Sequence, residues 1–66
     1  MKTINIDNVS EIIILSDGSV FIIRSYCFDV NILYKLSYPE LTFIHSGTYA
    51  FCYDYVWNIE YNVLRR

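Results

Sequence analysis

Apolar and polar residues alternate along most of this chain, and a period of two predicts short β-strands. Residues 3–6 form the first such strand, which the turn-favouring pair Asp7-Asn8 closes. The segment EIIILSDGSVFIIR then places Asp17-Gly18 between two β-prone runs. This arrangement is typical of a hairpin with a two-residue type I′ loop, because both loop residues must take positive φ.

The length of that loop decides which residues face each other. A two-residue loop places Glu11 opposite Arg24, a favourable pair of opposite charges, and this is the register that we predict. A three-residue loop with a bulge at Gly18 would instead place Glu11 opposite Ile23.

Both faces of this hairpin are apolar. In the predicted register one face carries Ile13, Leu15, Val20 and Ile22, and the other carries Ile12, Ile14, Phe21 and Ile23. Two apolar faces predict a sheet that is covered on both sides, by another sheet, an opposing strand or a second subunit.

Residues 28–38, FDVNILYKLSY, fit two templates. Alternate apolar positions from Val30 to Tyr38 favour a strand, and this template matches more positions. The alternative is a short helix over 29–37 with Asp29 as its N-cap. Pro39 ends the element in either case.

The last third of the chain carries a row of large side chains at alternate positions. Every odd residue from Tyr49 to Val63 is aromatic or β-branched, which predicts a strand with its rings on one side. A turn at Ser46-Gly47 would pair this strand with residues 41–44.

A straight strand over residues 48–63 would be about 50 Å long, which is too long for a domain of this size. We therefore expect a bend within Asp54–Asn58 and a final strand over Ile59–Leu64. The predicted fold is a single all-β domain over residues 1–66. Its small, strongly curved antiparallel sheet, or partly open barrel, would have five or six strands, similar to SH3 and OB domains in size only, with residues 29–37 as the one candidate helix.

Composition adds a reason to expect a partner. A 66-residue chain buries only about 60% of the surface that its unfolded form exposes. Yet 55% of the residues are hydrophobic and only 18% are charged, which leaves more apolar surface than a small core can hide. Small domains are usually stabilised by a metal, by disulfides or by oligomerisation.

The sequence argues against the first two of these. Cys27, Cys52 and His45 cannot form an ordinary four-ligand zinc site. There is no signal-peptide pattern and no apolar run that could span a membrane, so we expect a cytoplasmic protein with reduced thiols, in the host cell if it is viral. A homodimer or a protein partner is therefore the expected source of stability, and no membrane association is predicted.

Titratable residues do not form a recognisable catalytic set. His45 is interpreted as an exposed residue beside a turn, because no orienting group or oxyanion site accompanies it. Cys27 and Cys52 are interpreted as buried thiols, and Asp54 and Glu60 as residues on the solvent face. The chain is therefore predicted to be no enzyme and to bind no cofactor or metal.

The aromatic row is the strongest candidate for function. Tyr49, Phe51 and Tyr53 are expected in the core. The partner-binding residues are predicted to be Tyr55, Trp57 and Tyr61, because Tyr and Trp dominate binding hot spots and suit surfaces that are half dry and half wet.

Two function classes use such rings: protein binding, and stacking on single-stranded nucleic acid or a nucleotide. A stacking platform normally lies in a basic groove, whereas this chain has a formal net charge of −2 with scattered cations. We therefore favour a protein-binding module. Its bias toward Ile, Tyr and Asn suits an AT-rich genome, and an inhibitor or modulator from a phage or mobile element is the sharpest form of this hypothesis.

Overall fold

The computed structural model describes residues 1–66 and contains five β-strands followed by one α-helix. The elements are β1 (Lys2–Asn5), β2 (Ser10–Ile14), β3 (Val20–Cys27), β4 (Val30–Ser37), β5 (Glu40–Gly47) and α1 (Tyr49–Leu64). Neighbouring strands are antiparallel and lie in chain order from β1 to β5. The sheet is therefore an open meander with β1 and β5 at its edges.

The predicted small antiparallel sheet of five strands is confirmed. Strand β4 also confirms the strand template for residues 28–38, and the alternative helix over 29–37 does not form. The register shifts once between Ser25 and Cys27, and once between β4 and β5 beside Leu33 and Tyr34. Such bulges bend the strands that carry them, in keeping with the curvature expected.

The hairpin of β2 and β3 has a three-residue loop, so the predicted two-residue loop was wrong. The Leu15 N–H donates to the Ser19 carbonyl at 2.8 Å, and the Gly18 N–H donates to the Leu15 carbonyl at 3.0 Å. Only Gly18, at φ +88°, needs the left-handed region. Asp17 stabilises this turn through its carboxylate, which accepts the Ser19 N–H at 2.9 Å.

This loop shifts the hairpin register by one residue. Glu11 lies opposite Ile23, and Arg24 lies opposite Ser10. A shift of one residue exchanges the faces of a strand. The buried face of the hairpin therefore combines Ile13, Leu15, Phe21 and Ile23, while Ile12, Ile14, Val20 and Ile22 share the other face.

The C-terminal aromatic row forms a helix, so the strand predicted there was wrong, as were the bend within Asp54–Asn58 and the final strand over Ile59–Leu64. The predicted turn at Ser46-Gly47 was also wrong, because β5 continues to Gly47. A 16-residue helix is about 24 Å long, and it fits a molecule measuring 36 × 25 × 19 Å. A straight strand over the same residues does not.

The helix begins at a good capping residue and carries an apolar stripe. The Phe51 N–H donates to Oγ1 of the N-cap residue Thr48 at 3.2 Å. Residues at helical spacing then pack on the sheet, with Cys52 and Val56 buried and Tyr53 and Ile59 partly buried.

The core lies between α1 and one face of the sheet. Its buried hydrophobic residues are Ile13, Leu15, Phe21, Ile23, Leu33, Cys52 and Val56. Tyr53 packs against this core as predicted. The same prediction for Tyr49 and Phe51 was wrong, because both side chains are exposed. Tyr49 lies in the first turn of the helix and reaches β2, and Phe51 lies against His45 of the edge strand β5.

Candidate interaction surfaces

The solvent side of α1 carries a short row of large apolar side chains. Trp57 and Tyr61 are four residues apart and Leu64 follows three later, so all three lie on one side of the helix, away from the sheet. Their exposed fractions are 45%, 59% and 62%. We name these three residues the helix stripe. The Arg65 guanidinium lies over the Tyr61 ring, 5.5 Å from its centroid.

Tyr55 lies elsewhere on the helix. Residues two positions apart on a helix point about 200° apart, so Tyr55 does not join Trp57. Its ring lies parallel to that of His45, with 6.3 Å between the centroids, and His45 also stacks on Phe51 at 4.6 Å. The structure thus brings together two of the three predicted binding residues and separates the third. The prediction that His45 is exposed was wrong, since it is half-buried in this stack.

The sheet face opposite α1 is apolar and has no element over it. Strand pairing aligns its side chains in rows across the sheet. We name this surface the outer face, and it comprises Ile4, Ile12, Ile14, Val20, Ile22, Ile32, Tyr34, Leu36, Leu41 and Phe43. The sequence predicted two apolar faces on the first hairpin, and the structure extends the second one over all five strands.

Charged groups are sparse on the outer face. Its central row runs Ile4, Ile12, Ile22, Tyr34, Phe43 and contains no charge. Lys2 occupies one end of the next row, and Arg24 lies in the row on the other side. The register places no carboxylate on this face.

Glu60 is fully buried, so its interpretation as a solvent-face residue was wrong. Its carboxylate accepts the Ser16 N–H at 3.0 Å and the Ser16 hydroxyl at 2.9 Å, and it pairs with the α-ammonium of Met1 at 3.0 Å. The Ser16 N–H, followed by the ammonium group, holds the pKa of Glu60 below its ordinary value. The site is shallow, since its cover consists of the exposed residues Met1 and Ser16. Asp54 is exposed, as predicted.

Tyr49 connects the first turn of the helix to β2. Its hydroxyl donates to Oε1 of Glu11 at 2.7 Å. Although the Tyr49 side chain is 45% exposed, partial desolvation of its hydroxyl, followed by this hydrogen bond, raises the pKa of Tyr49 to about 12. The phenol therefore stays protonated at neutral pH, and its role here is to bridge the helix and the sheet. A polar cleft of about 240 Å³ lies beside it, lined in part by Asp7, Asn31 and Ser25.

The two thiols differ in their surroundings. Cys52 is buried, as predicted, and its thiol donates weakly to the Asn31 carbonyl at 3.8 Å. Burial raises the pKa of the Cys52 thiol, which disfavours the reactive thiolate. Cys27 is exposed, so its assignment to the core was wrong. No group of three or more His, Cys, Asp or Glu side chains is arranged to hold a metal ion.

A second cleft, of about 410 Å³, lies between α1 and the sheet. Apolar side chains such as Ile44 and Ile59 line it, as does Tyr55. Lys35 and Arg66 also line it, together with the carboxylate of Asp17, so an aromatic ring, two cations and one anion meet at one surface depression. The sequence did not indicate this cleft, because Tyr55 and Lys35 become neighbours only when the helix packs on the sheet.

The helix is not long and apolar enough to cross a membrane. Comparison of the chain with protein-family models, with curated proteins and with solved structures gave no match. The surfaces described above are therefore the basis for assigning a function.

Proposed function

We propose that this protein is a non-catalytic interaction module that binds another protein stoichiometrically through the helix stripe. In its sharpest form the proposal is an inhibitor or modulator encoded by a phage or mobile element and acting in the cytoplasm of the host cell. An exposed free thiol at Cys27 suits a reducing compartment.

The observation that carries the proposal is the pairing of Trp57 and Tyr61 on the solvent side of α1. Exposed Trp and Tyr side chains offer large rigid contact areas, and their NH and OH groups can bond to a partner at the edge of a dry interface. Leu64 extends the same row by one turn. An i, i+4, i+7 row of this kind is the pattern by which a helix lies in the groove of a partner.

Charge supports a protein partner over a phosphate-rich one. The cation that lies against the helix stripe is Arg65, whose guanidinium group lies over the Tyr61 ring. Binding to nucleic acid derives much of its free energy from counterion release at basic patches, and the formal net charge of −2 works against it.

The test is a pull-down from cell lysate with the wild-type protein and with a Trp57→Ala/Tyr61→Ala double variant. The captured protein is then purified and titrated by isothermal calorimetry. We expect binding with one partner per protomer, weakened at least about 30-fold in the double variant, because each hot-spot truncation costs about 1–2 kcal/mol or more. The matched control is Tyr26→Ala/Tyr38→Ala, which removes two exposed Tyr rings outside the helix.

Equal capture by the wild type and the helix variant would contradict the proposal, provided that circular dichroism shows both to be folded. Loss of binding in the Tyr26/Tyr38 control alone would also contradict it, because the partner would then contact the strand ends and not the helix.

A second function is supported by the larger cleft, where Tyr55 lies near Lys35 and Arg66. A ring that can stack on a base, with cations for its phosphate, is the minimum needed to bind a nucleotide or single-stranded nucleic acid. Fluorescence anisotropy with labelled oligo(dT) at 20 mM and 150 mM salt tests this function. Salt-sensitive binding that is lost in Tyr55→Ala and in Lys35→Glu, but kept in Trp57→Ala, would favour it over protein binding.

A further inference from the structure

We propose that the outer face is a homodimer interface, in which the sheets of two copies of this chain pack face to face. The proposal concerns the side of the molecule opposite the helix stripe and goes beyond the function proposed above. Apolar surface in contact with water is unfavourable. Ten apolar side chains share a face that no other element covers; four of them are exposed and six are half-buried. Contiguous apolar patches on a surface mark interaction sites.

The area of the outer face is close to the minimum for a specific interface between two copies. Five strands about 4.8 Å apart give a width of about 24 Å, and rows about 7 Å apart give a length of about 20 Å. Each copy would thus contribute about 480 Å² and the pair about 960 Å², close to the roughly 1,000 Å² that a specific interface needs. A smaller patch would favour a transient contact.

The shape of the face favours a second copy over an unrelated partner. Two sheets pack about 10 Å apart when their twists match, and identical sheets have the same twist. A two-fold axis along the central strand β3 places Ile22 against its own counterpart. It also places isoleucines of β1 and β2 against aromatic side chains of β4 and β5, so that Ile12 faces Tyr34 and Ile4 faces Phe43 of the other copy.

The charge distribution points to the same occupant. The central row has no charged residue, so the packing of two copies buries no unpaired ion in the middle of the interface. Lys2 and Arg24 lie away from this row. The same two-fold axis brings Arg24 opposite Arg24 of the other copy, so the two guanidinium groups must extend to water at the edge of the interface, as long charged side chains can. Permanent homodimer interfaces have this apolar character, whereas transient interfaces are more polar.

Such a dimer would leave both helices on the outside. The two copies of the helix stripe would then lie on opposite sides of the assembly, each free to bind a partner. Loss of the dimer and loss of partner binding are therefore separable by mutation.

Sedimentation velocity between 1 and 200 µM tests the proposal. We expect the wild type to sediment with twice the 7.9 kDa mass of the chain, and Ile22→Lys to dissociate at least 100-fold more readily. Because Ile22→Lys also places a charge on the central strand of the sheet, Phe43→Lys serves as a second variant on the edge strand β5, and it should raise the dimer dissociation constant at least 10-fold. Trp57→Lys is the matched control and should remain a dimer. Circular dichroism establishes that each variant is folded.

A wild type that is monomeric at 200 µM would overturn the proposal. Flotation of that monomer with phosphatidylcholine–phosphatidylglycerol vesicles would identify a lipid surface as the occupant instead. A dimer that persists in folded Phe43→Lys and dissociates in Trp57→Lys would place the interface on the helix stripe and also contradict this assignment. Loss of partner binding in Trp57→Ala/Tyr61→Ala with the dimer intact would support both proposals separately.

Discussion

At the scale of single residues, Glu60 joins parts of the chain that are distant in sequence. One carboxylate accepts hydrogen bonds from the loop between β2 and β3 and pairs with the ammonium group at the start of β1. A buried carboxylate is tolerated only where such partners replace water. Here they replace it fully, since no buried side-chain polar atom lacks a partner.

Replacing Glu60 with Gln should destabilise the fold at pH 7, with an effect that disappears in acid. The folded-state pKa of Glu60 is lowered from 4.5, so the carboxylate contributes stability above pH 4.5 and this contribution is lost as the pH falls through the lower folded value. Urea denaturation of both proteins from pH 7 to pH 3 measures the difference. Glu40→Gln, at an exposed position, is the control, and a gap between wild type and Glu60→Gln that stays constant down to pH 3 would contradict the assignment.

The two cysteines should react at very different rates. Cys27 is exposed, whereas Cys52 is buried with a raised thiol pKa, so iodoacetamide at pH 8 should modify Cys27 alone in the native protein. Mass spectrometry should detect one adduct without denaturant and two in 8 M urea. Rapid double modification of the native protein would mean that the Cys52 side chain is not buried between the helix and the sheet as described.

At the scale of elements, the sequence predicted the strands well and the helix not at all. The strands β1 to β5 could be recognised because their apolar and polar residues alternate and because turn-favouring residues separate one strand from the next. The register of β2 and β3 was missed because an Asp-Gly pair suits both a two-residue loop and a three-residue loop with Gly18 in the left-handed region. The backbone hydrogen bonds of Leu15 and the pairing of Glu11 with Ile23 distinguish the two loops.

The helix was missed because two periods coexist in one segment. The odd-numbered rings follow a period of two, while Cys52, Val56, Ile59 and Val63 follow the helical spacing of four, three and four. The segment forms a helix because a helix packs its apolar side against the sheet, whereas a straight strand over the same residues would extend beyond the rest of the molecule. Thr48, a good N-cap residue, was the local signal that could have identified the helix start. The strand prediction also grouped the candidate binding residues wrongly, because Tyr55 and Trp57 share a side of a strand, whereas in a helix Trp57 shares a side with Tyr61 and not with Tyr55.

The N-cap gives a prediction at this scale. Thr48→Ala should lower the free energy of unfolding by about 1 kcal/mol, because it leaves the Phe51 N–H without its acceptor. Thr48→Ser retains the hydroxyl and should cost little. Urea denaturation monitored by circular dichroism measures both variants, and equal stability of the Ala and Ser variants would show that the cap contributes nothing to the fold.

At the scale of the whole molecule, the protein combines a small core with two large apolar surfaces. Seven hydrophobic residues are buried between the helix and the sheet, and a domain of this length has a total stability of only about 3–10 kcal/mol. Composition predicted this imbalance, since the chain has more apolar surface than one core can hide. Composition does not show where the exposed apolar surface lies, because that depends on which face of the sheet the helix packs against.

A single core truncation should therefore remove much of the stability. Leu33 is fully buried in the central part of the sheet, and Leu33→Ala should cost about 2–5 kcal/mol through lost contacts and the cavity that remains. Leu64→Ala removes the same atoms from a side chain that is 62% exposed, and it should change the stability by less than about 0.5 kcal/mol. Thermal unfolding of both variants at 5 and 100 µM measures these effects and links them to assembly. Equal losses of stability in Leu33→Ala and Leu64→Ala would mean that the core does not lie between α1 and this face of the sheet.

The same measurement at two concentrations tests assembly. If two copies share the outer face, the melting temperature of each variant should rise with protein concentration, because only the folded chain can dimerise.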